Sequence, residues 1–580
     1  MTRLWNDPAN FADEMIAGFV TAHQRYVRRV SGGVVRSTVS PDQQVAVVIG
    51  GGSGHYPAFG GLVGQGLAHG AAMGNLFASP SAAQVYSVAA AAHRGGGVLL
   101  SYGNYAGDVL NFDAAQDKLR AEGIACETVV VTDDIFSAPP AEKHKRRGIA
   151  GDLTVFRAAA AAAETGYDLT RVVEIARRAN ERTRSFGVAF GGCTLPGAEE
   201  PLFTVPDRRM AVGLGIHGEP GIDETDVPTA DGLADLLVGQ LLDELPEGVA
   251  TADGARVVPV LNGLGSLKYE EMFVVYRRVA ELLDAAGAEV VDPHVGEYCT
   301  SFDLAGTSLT LFWLDDELER LWDTPVDTPA YRRGAVAPAP RQDATTTVTT
   351  SAGGPVTVPP ADEESRAAAE TVRAVLEATA RTMDTHADDL GRLDQIAGDG
   401  DHGIGMRRGA HAALAAAADA ATAGAGARTT LQHAADAWSE RAGGTSGALW
   451  GVMLCAVAAR LGDTRKPSAV DVAAGVAAAT QEVMMFGKAA VGDKTLVDAL
   501  VPFSTELTRA AEAGASLAAA WTDAAGAAAR AAAATADLLP RVGRARPHAE
   551  RSLGTPDPGA HSLALVVAAV AVVLDDSGRT

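Results

Sequence analysis

Around residues 325–362 the sequence TPVDTPAYRRGAVAPAPRQDATTTVTTSAGGPVTVPPADEES loses all apolar periodicity, and the texture of the chain differs on its two sides. Upstream, short β-branched runs alternate with helical stretches: VAVVI at 45–49, VLL at 98–100, TVVV at 128–131, VVPVL at 257–261 and LTLFWL at 309–314. Buried strands separated by helices give an α/β fold. Downstream come long Ala-rich segments, RAAAETVRAVLEATARTM at 366–383 and SLAAAWTDAAGAAARAAAATADLL at 516–539, with Leu, Val and Trp recurring at helical spacing. Ala is the strongest helix former and lets helices approach closely, so this half is expected to be all-α. The expected organisation is an α/β domain over 1–325, a linker over 326–362 and an all-α domain over 363–580.

A formal charge of −24 repels phosphate backbones and anionic lipid heads, which excludes nucleic acid and membrane partners unless a basic patch exists. The densest basic run, KHKRR at 143–147, reads as a solvated loop. The start, MTRLWNDPANF, has no apolar core of a secretory signal, and the apolar run Leu563 to Leu574 is too short for a bilayer, so a cytoplasmic protein is expected. Cys126, Cys193, Cys299 and Cys455 are scattered and form no zinc spacing, as suits core residues in a reducing compartment.

Several loops carry chemistry-bearing residues. GGGSGHYPAFGG at 50–61 follows a strand directly and brings Ser53, Gly54 and His55 to its end, as a phosphate cradle or as a plain turn. GNYAGDVLNF at 103–112 presents Asp108, a helix cap or a base. GLGIHGEPGID at 213–223 holds His217 between glycines, a structural residue, a metal ligand or a covalent catalyst. In the second half, Asp394, Asp399 and Asp401 fall within eight residues around GDGDHG. Two carboxylates about 4 Å apart repel by roughly 4 kcal/mol at an effective dielectric near 20, so such a trio asks for a cation. GGTSGALWG at 443–451 sets Gly444, Thr445 and Ser446 at a helix start, an anion seat or a simple cap. Lys494, the arginines Arg544, Arg546 and Arg551, and the turn Asp557–Gly559 complete the candidates.

Together these stretches, GGGSGH, NYAGDVLNF, GIHGEPG, GDGDHG, GGTSGAL, DKTLVDAL and DPGA in this order, resemble the ATP-dependent dihydroxyacetone kinases in their single-chain form. The resemblance implies a ketose-binding K domain of two α/β lobes dividing near 190, fused to an L domain that is an all-α helical barrel binding ATP and two Mg²⁺ ions. It implies that His217 forms a covalent hemiaminal with the ketose carbonyl, Asp108 acts as base and His55 hydrogen-bonds the former carbonyl oxygen. Ser53 and Gly54 would line that pocket. Asp394, Asp399 and Asp401 would hold the metal, and Gly444, Thr445, Ser446, Lys494, Arg544, Arg551, Asp557 and Gly559 the nucleotide. A homodimer is implied, with K and L domains meeting across subunits.

The sequence departs from the family pattern where GHYPAF and GNYAGD stand for GHEPAH and KNYTGD, which puts Tyr56, Phe59 and Gly103 at positions usually Glu, His and Lys. A lost lysine implies a roomier pocket, and erythrulose, one hydroxymethyl unit larger than dihydroxyacetone, is the favoured substrate. Dihydroxyacetone itself, flavin-nucleotide cleavage to a cyclic phosphate, and a non-catalytic sugar sensor are the alternatives.

Overall fold

The computed structural model describes residues 2–213, 215–216, 223–341, 358–398, 400–543 and 545–577. The chain forms two compact units, Met1–Thr350 and Ser351–Thr580.

In the first unit the six-stranded sheet contains β1 (Val27–Val30), β2 (Gly33–Arg36), β3 (Ala46–Ser53), β4 (Gly70–Leu76), β5 (Val98–Gly103) and β6 (Cys126–Val131) in the order β1-β2-β4-β3-β5-β6. Strands β4, β3, β5 and β6 run parallel. The second sheet contains β7 (Thr183–Ala189), β8 (Arg209–Val212), β9 (Asp223–Asp226), β10 (Arg256–Gly263), β11 (Glu289–Val290), β12 (His294–Gly296) and β13 (Gly306–Trp313), mostly antiparallel around β10-β13-β7. Its first strand starts at Thr183, so the lobes change over earlier than the expected division near 190.

The helices complete a layered stack. After α1 (Phe11–Ala22), α2 (Ala82–Ala92) and α3 (Ala106–Ala121) cover one face of the first sheet, where Val85, Val88, Phe112 and Leu119 meet Val48 and Leu100. Between the two sheets lie α4 (Asp152–Glu164) and α5 (Leu169–Glu181). Residues Asp152 to Ala163 of α4 are all buried, and the run of six alanines at 158–163 lets two sheets close on one helix. Period-two alternation divides β10: Val258 and Val260 face this central layer, while Val257 and Leu261 face α6 (Ala230–Asp243) and α7 (Tyr269–Ala285) outside.

Two expectations change here. The stretch from 326 is not yet linker: after α8 (Asp316–Trp322), β14 (Val326–Asp327) pairs with β15 (Arg332–Arg333), and Tyr331 and Thr328 are buried. Its Pro-rich composition serves a tight hairpin whose aromatic packs inward. The basic run is not all solvated either. Arg146 makes a bidentate pair with Glu244 at 2.5 and 2.8 Å, and Arg147 reaches Asp134 at 3.0 Å, both guanidinium groups being buried.

The second unit shows eight helices among its described residues: α9 (Glu363–Asp394), α10 (His402–Thr422), α11 (Ala427–Ala442), α12 (Gly444–Leu461), α13 (Ala469–Gly487), α14 (Leu496–Glu512), α15 (Leu517–Ala534) and α16 (Pro558–Ser577). Each packs on its neighbours in sequence and α16 returns to α9, closing a barrel. Helices α12, α13 and α16 are long and apolar enough to cross a bilayer, so the reading of 563–574 as too short does not hold for the helix that contains it. Their apolar residues, among them Trp450, Val476 and Val567, line the barrel's interior, an apolar cavity of about 470 Å³.

Candidate active site

In the first unit the parallel strand order changes direction between β3 and β5, since β4 lies on one side of β3 and β5 and β6 on the other. Ligands of open α/β sheets bind outside the carboxyl ends of the strands at such a point. The loop after β3 and the start of α3 after β5 flank it. Ser53 hydrogen-bonds the Gly74 carbonyl at 2.6 Å, fixing the end of β3. Gly54 follows with φ +104°, a conformation that favours glycine, and a Cβ there would meet the Phe77 ring at 3.0 Å. That turn buries His55 completely.

The His55 Nδ1 lies 2.8 Å from the Thr300 carbonyl oxygen. A carbonyl only accepts, so Nδ1 carries the proton. The Phe77 ring stacks on the imidazole at 5.2 Å, and Thr300 N–H and Phe302 N–H return hydrogen bonds to the carbonyls of His55 and Gly54. Asp108 is buried in the first turn of α3, where the helix dipole favours a carboxylate. Nearby stand two further buried carboxyls, Asp133 after β6 and Asp152 at the start of α4. Asp133 accepts from the Ile149 and Gly151 amides at 2.9 and 2.8 Å, and burial still pushes its carboxyl up to about 6. Asp152 is raised well above the carboxylate range by burial and by the charges of Asp133 and Asp108.

In the second unit the antiparallel helices bring the starts of α10, α12, α14 and α16 to one end of the barrel, beside the end of α9. Helix starts carry unpaired amides and a positive dipole end, which suits phosphate. His402 ties three of them together. Its Nε2 lies 2.9 Å from Ser562 Oγ, and Ser562 itself donates to the Gly559 carbonyl at 3.0 Å. Nε2 therefore donates, and Nδ1, 3.1 Å from Ser446 Oγ, accepts the serine proton. Burial holds this imidazole below its usual pKa, so it stays neutral. Gly443 and Gly444, at φ +65° and +61°, turn the chain sharply into α12.

Asp394 ends α9 and accepts from the Gly400 amide at 2.9 Å. A Cβ on Gly398 would lie 2.3 Å from its Oδ1, so the glycines let the loop wrap the carboxylate. Burial and the Asp394 charge raise the Asp401 carboxyl. Asp557, pushed up to about 7, feels burial first and then Asp394 and Asp498. Carboxyl oxygens held in this way are the kind of donor that a hard cation such as Mg²⁺ takes. Asp399, His217 and Arg544 lie outside the described residues, and no metal-ligating group of three forms among the described ones.

Family models match both units, a Dak1 domain over residues 17–330 and a DAK2 domain over 396–572. The chain belongs to the dihydroxyacetone kinase family. It is 60% identical over 575 residues to the L-erythrulose kinase of Pectobacterium atrosepticum, covering 99% of this chain and 97% of that protein. It is 53% identical over 585 residues to the D-erythrulose kinase of Mycolicibacterium smegmatis, covering all of both chains. Among solved structures it is similar to the dihydroxyacetone kinase from C. freundii in complex with AMP-PNP and Mg2+, with TM-score 0.52, 29% identity and coverage of 98% and 99% of the two chains.

Several family positions have different surroundings from those the sequence suggests. The Lys494 ammonium is buried and donates to the carbonyls of Leu538 and Ser552 at 3.1 and 2.6 Å. It is engaged in holding the 535–552 segment to the start of α14. The Ser446 hydroxyl proton goes to His402, so the donors this turn offers an anion are backbone amides and Thr445. Asp557 caps α16 by accepting from Ala560 N at 2.7 Å, with Gly559 packed beside it, and Arg551 is exposed. Tyr56 is half exposed, its ring edge-on to Phe19 at 6.0 Å, and Phe59 is buried. Gly103 opens no space: a Cβ there would meet the Gly148 carbonyl at 3.2 Å and the Tyr105 ring at 3.3 Å. Sequence reasoning missed Thr300, which orients His55, and the buried Asp133 and Asp152. The signal for Asp152 was a carboxylate inside the apolar run IAGDLTVF.

Proposed function

We propose that the protein is an ATP-dependent kinase of a short-chain ketose, with erythrulose favoured over dihydroxyacetone, acting on a terminal hydroxyl. One observation carries this reading: a single chain joins a site at the carboxyl ends of β3 and β5, holding buried His55 and Asp108, to a barrel end where four helix starts meet Asp394 and Asp401. Its 60% and 53% identical relatives, an L-erythrulose kinase and a D-erythrulose kinase, support erythrulose, one in each enantiomeric series.

In this reading His217 adds to the ketose carbonyl and holds it as a hemiaminal, which fixes the terminal hydroxyl in place and so lowers the entropic barrier. Asp108 takes the proton of that hydroxyl. With Nδ1–H given to Thr300, His55 presents Nε2 to accept the N–H proton that the adding His217 imidazole gives up and to pass it to the oxygen that was the carbonyl. Ser53, Gly54 and Gly103 form the backbone walls and Tyr56 the rim. On the second unit, Asp394, Asp399 and Asp401 hold Mg²⁺, whose charge neutralises the triphosphate. The amides of Gly444, Thr445 and Ser446 seat phosphate oxygens, and Arg544 and Arg551 approach from the 544–551 segment. Residues 1–325 thus carry the ketose and 363–580 the nucleotide, meeting across the subunits of a cytoplasmic homodimer.

The test is ADP release from Mg·ATP with dihydroxyacetone, both erythrulose enantiomers, glyceraldehyde and glycerol. One erythrulose enantiomer is expected to give the highest kcat/KM and glycerol no turnover. A flat profile overturns the ketose kinase reading, and a tenfold preference for dihydroxyacetone restores the three-carbon substrate. Light scattering of the eluting protein tests the dimer.

A further inference from the structure

Asp152 is the first residue of the helix between the two sheets and is 1% exposed, yet neither of its carboxyl oxygens has a hydrogen-bond partner among the described residues. A helix-start aspartate ordinarily caps amides, but here Gly151 is the cap and Asp152 makes no such bond. Leaving a buried polar group unsatisfied costs roughly 1–3 kcal/mol. Small apolar residues fill most of the positions that follow in this helix, so packing alone gives no reason for a carboxyl.

Its place indicates what it faces. A Cβ on Gly148 would lie 3.1 Å from Asp152 Oδ1, and the same Cβ would lie 2.4 Å from the Gly103 Cα at the end of β5. Asp152 lies within electrostatic reach of Cys299, the neighbour of the Thr300 that holds His55, and of Asp108 at the start of α3. The carboxyl therefore sits among the ends of β5 and β6, the Asp108 turn and the segment that orients His55. Asp133 already satisfies both oxygens with backbone amides, and the described residues form no metal-ligating group of three here. All three carboxyls are buried, and burial beside like charges disfavours ionising every one of them. Asp108 is the base, Asp133 receives two amide bonds, and Asp152 is left as the neutral acid, one O–H donor with one C=O acceptor.

We infer that Asp152 binds the substrate, hydrogen-bonding the hydroxyl that a four-carbon ketose carries and a three-carbon ketose lacks. The inference rests on the ketose kinase reading above and makes this buried acid, in place of the altered positions 56 and 103, the source of chain-length preference. A buried polar group built to pair with a substrate hydroxyl discriminates against a substrate without it, because the group is then left unpaired.

The experiment measures kcat and KM of the full-length protein for the better erythrulose enantiomer and for dihydroxyacetone, in wild type, Asp152→Asn and Asp152→Leu. An amide offers the same donor and acceptor as a neutral acid. Asp152→Asn is therefore expected to stay within about threefold for both ketoses, as its hydrogen bonds are of similar strength. Asp152→Leu is expected to lose about tenfold or more in kcat/KM for erythrulose, carried in KM, and less than about threefold for dihydroxyacetone. If the Leu variant does not fold, as thermal melting will show, Asp152→Ala gives the same readout. An erythrulose to dihydroxyacetone ratio unmoved by Leu and Ala, or equal losses in Asn and Leu, overturns the inference while leaving the kinase reading intact. A wild type that turns over no ketose overturns both.

Discussion

The two candidate sites of this chain solve opposite problems. The site on the first unit is made of side chains sealed among helices and two sheets: His55 is fully buried and oriented by the Thr300 carbonyl, and Asp108 is nearly buried in the first turn of α3. The site on the second unit is made of helix ends, with partly exposed Asp394, Asp401, Thr445 and Ser446 gathered around the imidazole of His402. A small neutral ketose offers little charge, so recognising it takes desolvated polar groups of fixed geometry. A triphosphate offers charge in excess, so dipoles and a cation serve better than shape. Selectivity is thus expected to live in the first unit and catalytic power to depend most steeply on the second.

The largest effect that would test this division is loss of the cation. Asp401→Asn, like Asp394→Asn, is expected to cut ADP release by roughly three orders of magnitude, since a bound metal contributes several kcal/mol of charge stabilisation. Ketose capture at His217, read by mass after borohydride treatment, should persist. Near-normal turnover in either variant would remove these aspartates from the metal site. Next in size is His217→Ala, expected to lose roughly a hundredfold or more in kcat/KM as the positioning of the hydroxyl is given up. Its sharper signature is a collapse of the ketose-to-glycerol ratio, and an unchanged ratio would exclude the hemiaminal.

The two sites were also legible to different degrees in the sequence. The loop from Asp394 to Asp401 stands out in the sequence because its pattern is local: the two carboxylates lie seven residues apart, and the glycines between them are there for steric reasons visible in the fold. The α/β and all-α halves were legible for the same reason, since periodicity is a local property. The first site was legible only in part. His55 stands out in its glycine loop, but its partner Thr300 is 245 residues away and no local pattern links them. The surroundings of Lys494 were not legible either, because nothing local shows that the fold brings the carbonyls of Leu538 and Ser552 onto it. Arg146 misled for the same reason, its partner Glu244 lying 98 residues on.

Lys494 gives a smaller and sharper comparison. Replacing it by Met leaves two carbonyls without their donor, a cost of roughly 1–3 kcal/mol, and frees Leu538 and Ser552 from the start of α14, beside the proposed nucleotide seat. The expected outcome is a KM for ATP raised about tenfold, as a loss of that size implies, with the KM for ketose unmoved. A parallel rise in both constants would mean that Lys494 serves the whole fold rather than the nucleotide.

The smallest effect concerns pH and the sealed character of the first site. Burial raises the folded Asp133 carboxyl to about 6 from an ordinary value near 3.8. The folded state then holds a proton that the unfolded chain has released, so between about pH 4 and 6 stability falls as pH rises, and the loss is complete above that window. At about 1.4 kcal/mol per pH unit the full effect is of order 3 kcal/mol. Asp133→Asn removes this titration but also turns an amide N–H toward one of the Ile149 and Gly151 donors, a cost that does not vary with pH. The informative quantity is therefore the melting-temperature gap between wild type and variant, followed from pH 7.5 to pH 5. It should widen by a few degrees on acidification, because only the wild type gains a bound proton on folding. A gap that stays constant would mean that Asp133 keeps ordinary acidity through solvent access, and the first site would then be open in the way the second one is.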